Sequence, residues 1–305
     1  MDSENKTILI SICTYKRALL LDELLQSVFK AEKYSSFRVS ILVIDNDSEK
    51  SAEALCRDGY GGFNLTYVSE PKRNISEVRN VGLQRAKDMG FDYILFLDDD
   101  EFVSENYFIQ LENIVNDLQP DVVIGPVITL YHPDTPDWVI KSKSYERSRK
   151  KSGEVVDTGN TGNALVKVSS IMDIGLFNPV FGRTGGEDSE FFYRCKLHGL
   201  NMVWCDEAEV YEYLELQRCT LKYLLTRAIR GGQTYSRIRA SDYSLVDKLK
   251  LVTTSIVVGL PSLALSSLIV LLTAKKKGTS LMKISIAKVA QIGGLFGKVV
   301  EMYGK

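Results

Sequence analysis

Apolar runs alternate with amphipathic stretches over the first part of the chain. Five runs rich in β-branched and aromatic residues predict strands: Thr7–Cys13, Arg38–Asn46, Asn64–Glu70, Asp92–Asp98 and Asp121–Ile128. Between them, four stretches space their apolar residues as one face of a helix does: 19–30, 48–56, 75–90 and 104–118, the last with Ser104 as its expected N-cap. Apolar strands alternating with helices predict an α/β fold, with a mostly parallel sheet covered on both faces.

The pattern loosens between Tyr131 and Val156. This stretch is polar and basic and holds two prolines, so we expect a surface loop or lid. Regular spacing returns at Thr158–Ile171 and again at Gly185–Tyr213.

A charge-free segment, Leu251–Ala274, is long enough to span about 30 Å of hydrocarbon as a helix. Three lysines follow it at once, and a second, amphipathic stretch, Leu281–Val300, is typical of a helix lying on a membrane surface. A buried core helix is the alternative. If the segment meets a membrane, a re-entrant or interfacial hairpin that keeps every lysine on one side is favoured over a single crossing. These patterns predict a catalytic domain over 1–232 and a helical, membrane-associating region over 233–305.

Composition excludes some classes of protein. The chain has 305 residues, 25% of them charged, and a net charge of −1, so it lacks the basic footprint of a nucleic-acid-binding protein. Its five cysteines form no C-x-x-C pair, and their number is odd, which favours a reduced compartment over a disulfide framework. The acidic, polar N-terminus does not have the basic start of a signal peptide.

Acidic residues crowd the end of the fourth predicted strand, in "YILFLDDDEFV". In a parallel sheet, ligands bind beyond the carboxyl ends of the strands, where "CTYKR" and "DNDS" also lie. Carboxylates there suit Mg²⁺ or Mn²⁺ bridging to a diphosphate, so Asp98, Asp99 and Asp100 predict a metal-diphosphate site. A solvated acidic turn is the alternative. The glycine-rich phosphate loops of dinucleotide-binding and P-loop proteins are absent from the sequence.

A second acidic pair, Glu187 and Asp188, follows two glycines and opens a predicted helix. A carboxylate presented to a cleft in this way suits a general base, which must reach the hydroxyl that it deprotonates. Capping of the helix is the alternative for both residues.

The order of these motifs carries more information than any one of them. "SICTYKR", "VIDNDS", "NISEVRNVGLQRA", "YILFLDDD" and "GGEDSEFFYRCKLHGLNMVWCDEAEVYE" occur in a succession that resembles the family 2 glycosyltransferases with a GT-A fold. The resemblance covers roughly Lys6 to Gly232 and is nearest to bacterial enzymes that extend lipid-linked exopolysaccharide, lipopolysaccharide or capsule repeat units.

The resemblance implies roles for individual residues. Those on the nucleotide side are Thr14, Tyr15, Arg17, Asp45, Asp47, Arg73, Arg79, Asp98 and Asp99. It implies Asp100 as a metal ligand with Asp98, and Asp188 as the catalytic base beside Glu187. Many relatives carry a histidine where this chain has Glu212, so the resemblance implies Glu212 as an oxygen ligand of the metal in that place. The Q-x-x-R-W motif of processive synthases is missing, which favours transfer of a single sugar.

The activity implied is inverting transfer from a nucleotide-diphosphate sugar, with UDP favoured, to a lipid-linked saccharide, with Mg²⁺ or Mn²⁺, at the cytoplasmic face of a bacterial inner membrane. A sugar-phosphate nucleotidyltransferase is one alternative, but it normally needs a glycine-rich loop, and "CTYKRALL" has no glycine. A non-catalytic, membrane-tethered sugar-nucleotide-binding protein is the other.

Overall fold

The computed structural model describes residues 5–57, 62, 64–171, 173–273, 275 and 277–299. Ala274, Lys276 and Val300, which belong to the C-terminal segments predicted from the sequence, lie outside the described residues.

Seven strands form the main sheet. They are β1 (Thr7–Thr14), β2 (Arg38–Asp45), β3 (Leu65–Ser69), β4 (Tyr93–Asp98), β6 (Val122–Ile124), β8 (Ala164–Lys167) and β9 (Met202–Trp204). Their spatial order is β3-β2-β1-β4-β8-β6-β9. β8 runs antiparallel to both of its neighbours and the other pairs are parallel, so the predicted, mostly parallel sheet is confirmed.

Helices cover both faces of this sheet. They are α1 (Ala18–Glu32), α2 (Glu53–Cys56), α3 (Ile75–Asp88), α4 (Tyr107–Leu118) and α6 (Glu187–Leu197). The short α5 (Asp137–Ser142) packs in a separate apolar cluster. Alternate residues of one strand point to opposite faces, so Ile8 and Ile10 of β1 pack with α1 and α4, while Leu9 packs with α3 and α6. Burial on both faces explains why the strands read as unbroken apolar runs.

The predicted fifth strand divides at Gly125–Pro126. Its first half is β6, and its second half, β7 (Val127–Leu130), belongs to a small sheet with β5 (Glu101–Val103) and β10 (Val210–Tyr213), in the order β5-β10-β7. Proline has no N–H to donate to a ladder, so one strand could not run through this point.

Two predicted helix starts were wrong. α4 begins after Asn106, and the Ser104 hydroxyl, expected as the N-cap, is buried and makes no hydrogen bond to a described residue. Over the predicted helix 48–56, only Glu53–Cys56 is helical. The reason is local: the carboxylate of Asp45 accepts from the backbone N–H groups of Asp47 and Ala52, which holds that segment as a turn.

The predicted lid is more ordered than expected. It contains α5, and its residues Val139 and Tyr145 are buried in an apolar cluster with Leu224 of α7 (Leu221–Arg239). Arg149 ties its later part to Asp206 and Glu209 through ion pairs of 2.8 Å each. The stretch is therefore attached to the rest of the chain at both of these points.

The C-terminal region is helical. α8 (Leu245–Thr254), a π-helical turn (Ser255–Gly259) and α9 (Leu260–Leu272) form one helix, and α10 (Thr279–Leu295) folds back along it and along α7. The 28-residue helix Leu245–Leu272 is long and apolar enough to cross a membrane. Only 22% of its most apolar part is buried, which is less than the core helix of a soluble protein buries.

Candidate active site

The turns that follow β1 and β4 meet at one edge of the main sheet. These strands are parallel neighbours, so their carboxyl ends lie side by side. The Thr14 hydroxyl donates a hydrogen bond to Asp99 Oδ2 over 2.8 Å. Arg17 Nη1 lies 3.2 Å from Asp99 Oδ1 and 2.9 Å from Asp100 Oδ2. The predicted meeting of these polar clusters is confirmed.

Burial dominates the electrostatics of the acidic run. It raises the pKa of Asp99 to about 6, against the lowering effect of Arg17. Burial and then the charge of Asp98 raise the pKa of Asp100 above its usual range, and the same two causes raise that of Glu101 further. The carboxylates thus lie close together and partly out of water, an arrangement that a bound cation would stabilise.

Two arginines offset part of this charge. Arg17 Nη2 donates to Glu215 Oε1 over 3.2 Å, and Arg218 lies 2.7 Å from the same oxygen and 3.7 Å from Asp100. Neither Glu215 nor Arg218 was singled out from the sequence, since they stand outside every motif and reach the site only because β10 ends beside β5. Arg17, expected at the nucleotide, contacts the acids.

The residues expected to hold a metal lie on two sheets. Asp98 ends β4, Asp100 follows it, and Glu212 lies on β10 opposite Glu101 of β5. The Glu212 carboxylate lies 3.6 Å from Arg147. Over the described residues, no three carboxylate, imidazole or thiolate groups converge into a preformed metal site. The oxygen donors nevertheless fit Mg²⁺ or Mn²⁺, because Mg²⁺-type sites typically use one or two carboxylates and complete their shell with water and phosphate.

Arg79 connects the two acidic motifs. It is buried on α3, and it donates from Nη1 to Glu187 Oε1 and from Nη2 to Asp98 Oδ1, the latter over 3.2 Å. Burial opposes its charge, but the two carboxylates outweigh that effect and raise the pKa of Arg79. Burial also raises the pKa of Glu187, whose Oε2 is buried and has no hydrogen-bond partner among the described residues.

Asp188 lies in the first turn of α6, next to Glu187, and is half-buried. Its Oδ1 accepts from the backbone N–H of Ser189 over 2.6 Å, and its Oδ2 makes no hydrogen bond to a described residue. The turn before it needs glycine: Gly186 has φ +93°, and a Cβ there would lie 2.2 Å from Thr234 of α7. The glycines therefore let α6 start close to α7 and leave one carboxylate oxygen available.

The two acids after β2 differ in their surroundings. Asp45 is fully buried and accepts hydrogen bonds from the backbone N–H groups of Asp47 and Ala52 and from the hydroxyl of Tyr67. Asp47 accepts from Glu49 N–H through Oδ1, whereas its Oδ2 is buried and has no partner among the described residues. Asp45 thus shapes the turn, and Asp47 holds the unused acceptor.

Tyr15 and Arg73 are the exposed members of the predicted nucleotide side. The Tyr15 side chain stands in solvent with the ammonium group of Lys16 5.4 Å from its ring centroid. Arg73 lies in the loop between β3 and α3 and makes no ion pair or hydrogen bond within the described part of the chain. Both are accessible to a ligand at this edge.

Asn80 was quoted in a motif but given no role by sequence reasoning. Its amide donates to the backbone oxygen of Phe177 over 2.9 Å and accepts from the N–H of Phe177 over 2.8 Å. Asn74, the N-cap of α3, likewise donates to the backbone oxygen of Pro179. These contacts fasten the loop that leads to Glu187 onto α3, so the helix that carries Arg79 also positions the second acidic pair.

Comparison with known proteins finds relatives in both sequence and structure. The chain is 33% identical over 244 residues to the succinoglycan biosynthesis protein ExoM of Rhizobium meliloti (strain 1021), a match covering 79% of this chain and 77% of that protein. The mannosyltransferase PcManGT from Pyrobaculum calidifontis, solved with GDP-Man and Mn²⁺, has a similar structure, with a TM-score of 0.63, 16% identity and coverage of 97% of this chain and 89% of that one.

S. aureus TarS also has a similar structure, with a TM-score of 0.56 and 15% identity, and the match covers 92% of this chain but only 55% of that one. At such identities the two structures show the GT-A fold alone. The sequence model described as "Glycosyl transferase family 2" matches residues 9–175, more than half of the chain. With the acidic strand end and the second acidic pair in place on this fold, the chain belongs to glycosyl transferase family 2.

Proposed function

We propose that this glycosyltransferase moves one sugar, with inversion, from a UDP-sugar to a hydroxyl of a lipid-linked saccharide in bacterial cell-surface polysaccharide biosynthesis. The observation that carries the proposal is the Arg79 bridge between Asp98 and Glu187. This bridge supports the proposal because it holds the start of α6, which carries the expected base Asp188, next to the strand end whose acids suit a metal-bound diphosphate.

Each acidic residue has a part in this proposal. Asp188 accepts the proton of the acceptor hydroxyl through its available Oδ2, because a general base must lie within hydrogen-bond reach of that proton. Asp98, Asp100 and Glu212 would hold Mg²⁺ or Mn²⁺, which stabilises charge on a departing diphosphate when bound. Glu187 keeps Arg79 in place, and Arg79 in turn orients Asp98.

The nucleotide lies over the turns that follow β1 and β2. The buried Asp47 Oδ2 is an acceptor for an N–H or hydroxyl of the nucleoside, and the Thr14–Asp99 hydrogen bond joins the turn after β1 to the acidic turn after β4. The nucleotide side also includes Tyr15, Arg17 and Arg73. Arg17 turns away from the acids and binds a phosphate of the nucleotide, because guanidinium groups bind phosphate well. Asp45 acts through the backbone of the turn that it shapes.

The relatives support the choice of substrates. A TarS fragment of residues 1–349 was solved in complex with UDP, PcManGT with GDP-Man and Mn²⁺, and ExoM carries a name from succinoglycan biosynthesis. Residues 1–232 form the catalytic domain in this proposal and 233–305 bind the cytoplasmic face of the inner membrane, although α7 runs unbroken across that boundary. Nucleotide sugars and lipid-linked acceptors meet at that face.

The test measures sugar transfer from a panel of UDP- and GDP-sugars to lipid-linked saccharides, with and without EDTA. We expect transfer from a UDP-sugar that stops with EDTA and returns with added Mn²⁺. The Asp100→Ala variant should fold and show no transfer, because it loses the proposed metal ligand. The matched control, Asp117→Ala, removes an exposed acid of α4 and should keep full activity.

Transfer that survives both EDTA and Asp100→Ala would show that the metal assignment is wrong. Transfer from GDP-sugars alone would show that the UDP assignment is wrong and leave the proposed type of reaction unchanged.

A further inference from the structure

A second concave surface lies apart from the acidic edge. It is a cavity of about 460 Å³ between the loop after α5, α7 and α10. Its polar lining includes Ser144, Glu146, Arg147, Arg227, Lys283, Lys288 and Gln291, and Tyr145 and apolar residues of α7 and α10 complete it. Its volume is in the range of ligand-binding pockets.

Positive charge is in excess in this cavity. Four cations line it and the only acid among its lining residues is Glu146. Within the described ranges, no acid forms an ion pair with Arg227, Lys283 or Lys288. Burial, and then the nearby charge of Arg227, lower the pKa of Lys283. Like charges held together without a counter-ion destabilise a fold, and a bound anion would remove that repulsion.

Two polar groups in the lining have no partner among the described residues. Ser144 Oγ and Gln291 Oε1 are buried and make no hydrogen bond to the described residues. Ser144 is only 5% exposed, and buried hydroxyls are nearly always hydrogen-bonded. The Lys283 ammonium group donates to the Ser144 backbone oxygen over 2.6 Å, which holds the two sides of the cavity together. A hydroxyl that lacks an acceptor, beside several cations, suits the oxygens of a phosphate group.

The cavity lies between the acidic edge and the apolar helix. On one side, Arg147 reaches Glu212 over 3.6 Å, and the Tyr145 hydroxyl donates to the backbone oxygen of Arg218. On the other side, α10 packs along the exposed apolar helix, where Ser255 Oγ donates to the backbone oxygen of Lys288 over 2.9 Å. A ligand here would touch both the catalytic domain and the proposed membrane-binding region.

We propose that this cavity binds the diphosphate group of the lipid-linked acceptor, with the lipid running along α10 toward the apolar helix and the saccharide directed to the acidic edge. This inference rests on the proposed function, because it names where the acceptor of that reaction is held. Several cations and the hydroxyl donor of Ser144 match a group with many acceptor oxygens and more than one negative charge. None of the strand-end residues assigned to the donor lines the cavity, so the two diphosphates have separate sites.

The experiment titrates the full chain in detergent with farnesyl diphosphate in EDTA, which prevents binding through a metal at the acidic edge. Inorganic diphosphate and farnesol are the comparison probes, and UDP with Mn²⁺ is titrated separately. The variant is Arg227→Gln, and the matched control is Lys222→Gln, an exposed cation on the same helix outside the cavity.

We expect wild-type protein to bind farnesyl diphosphate more tightly than either comparison probe. Arg227→Gln should weaken this binding by about tenfold, the loss typical of one charge-assisted hydrogen bond, and Lys222→Gln should leave it unchanged. UDP binding should be equal in all three proteins.

If Arg227→Gln and Lys222→Gln lost the same affinity for farnesyl diphosphate, binding would reflect the general charge of the surface and not this cavity. A loss of UDP affinity in Arg227→Gln would assign the cavity to the donor. Inorganic diphosphate bound as tightly as farnesyl diphosphate would show a site for a free anion. Each of these results overturns the inference. If the protein bound farnesyl diphosphate as expected but transferred no sugar, the result would instead count against the proposed function alone.

Discussion

The position of Asp188 is fixed by contacts of neighbouring residues more than by contacts of its own side chain. Its helix starts where it does because Glu187 is held by Arg79, and because Asn80 fastens the preceding loop through Phe177. Glu187, although adjacent in sequence, is buried and bound to Arg79 through Oε1, whereas Asp188 is half-buried and makes no ion pair within the described residues. Two neighbouring carboxylates thus have different surroundings, and the proposed function assigns the acceptor hydroxyl to the more exposed one.

Replacing Asp188 by asparagine should remove the base and keep the shape of the site. Turnover should fall by about 10²–10⁴-fold, the usual effect of losing a general base. The affinity for UDP in the presence of Mn²⁺ should stay unchanged, since Asp188 makes no contact with the acidic run in this proposal. Steady-state transfer rates and calorimetric titration with UDP measure the two quantities.

Asp117→Asn, the same substitution at an exposed position of α4, is the control for the change of charge and should behave as wild type. If Asp188→Asn lost donor affinity and kept its maximal rate, Asp188 would be a donor contact and another group would be the base.

At the scale of elements, long regular segments were predictable and short ones were not. β1 to β4, α1 and α3 follow the predicted runs closely, because each is long enough for burial to impose a clear period on the sequence. β5, β7 and β10 have three or four residues each, and their pairing with one another decides their structure. For that reason the positions of Glu101, Glu212 and Arg218 around the site could not be read from spacing alone.

Two adjacent glycines of α7 differ in how closely α10 approaches them. A Cβ on Gly232 would lie 2.0 Å from the backbone oxygen of Ala287, while a Cβ on Gly231 would meet nothing within 4 Å. Gly232→Ala should therefore destabilise the protein by about 1–3 kcal/mol through overpacking. Gly231→Ala should stabilise it by about 0.5–1 kcal/mol, the helix-propensity gain of alanine over glycine.

Denaturant unfolding of the two variants in detergent measures both changes. Two variants of equal stability would show that α10 does not pack against α7 in solution.

At the scale of the whole molecule, the C-terminal hairpin returns to the catalytic domain. Just beyond α9, the Lys275 ammonium group lies 5.8 Å from the ring centroid of Trp138 on α5, and Lys283 of α10 contacts Ser144. The preceding α7 packs against that same domain. A helix of 28 residues is about 42 Å long, so a crossing would carry its far end to the other side of the bilayer. These contacts favour the interfacial arrangement that the lysine distribution predicted.

We therefore predict that the helix Leu245–Leu272 lies in the membrane surface with both ends on one side. In intact cells, cysteines introduced at Lys222, before the helix, and at Lys275, after it, should show the same protection from an impermeant maleimide, because neither end crosses the bilayer. The five native cysteines should contribute little labelling, since burial raises the pKa of each thiol. Leu268→Glu, on the exposed apolar face, should weaken flotation with vesicles, while Leu197→Glu, at the exposed end of α6, should not. Opposite protection of the two cysteines would establish a single crossing, and a chain that never floats would exclude membrane binding.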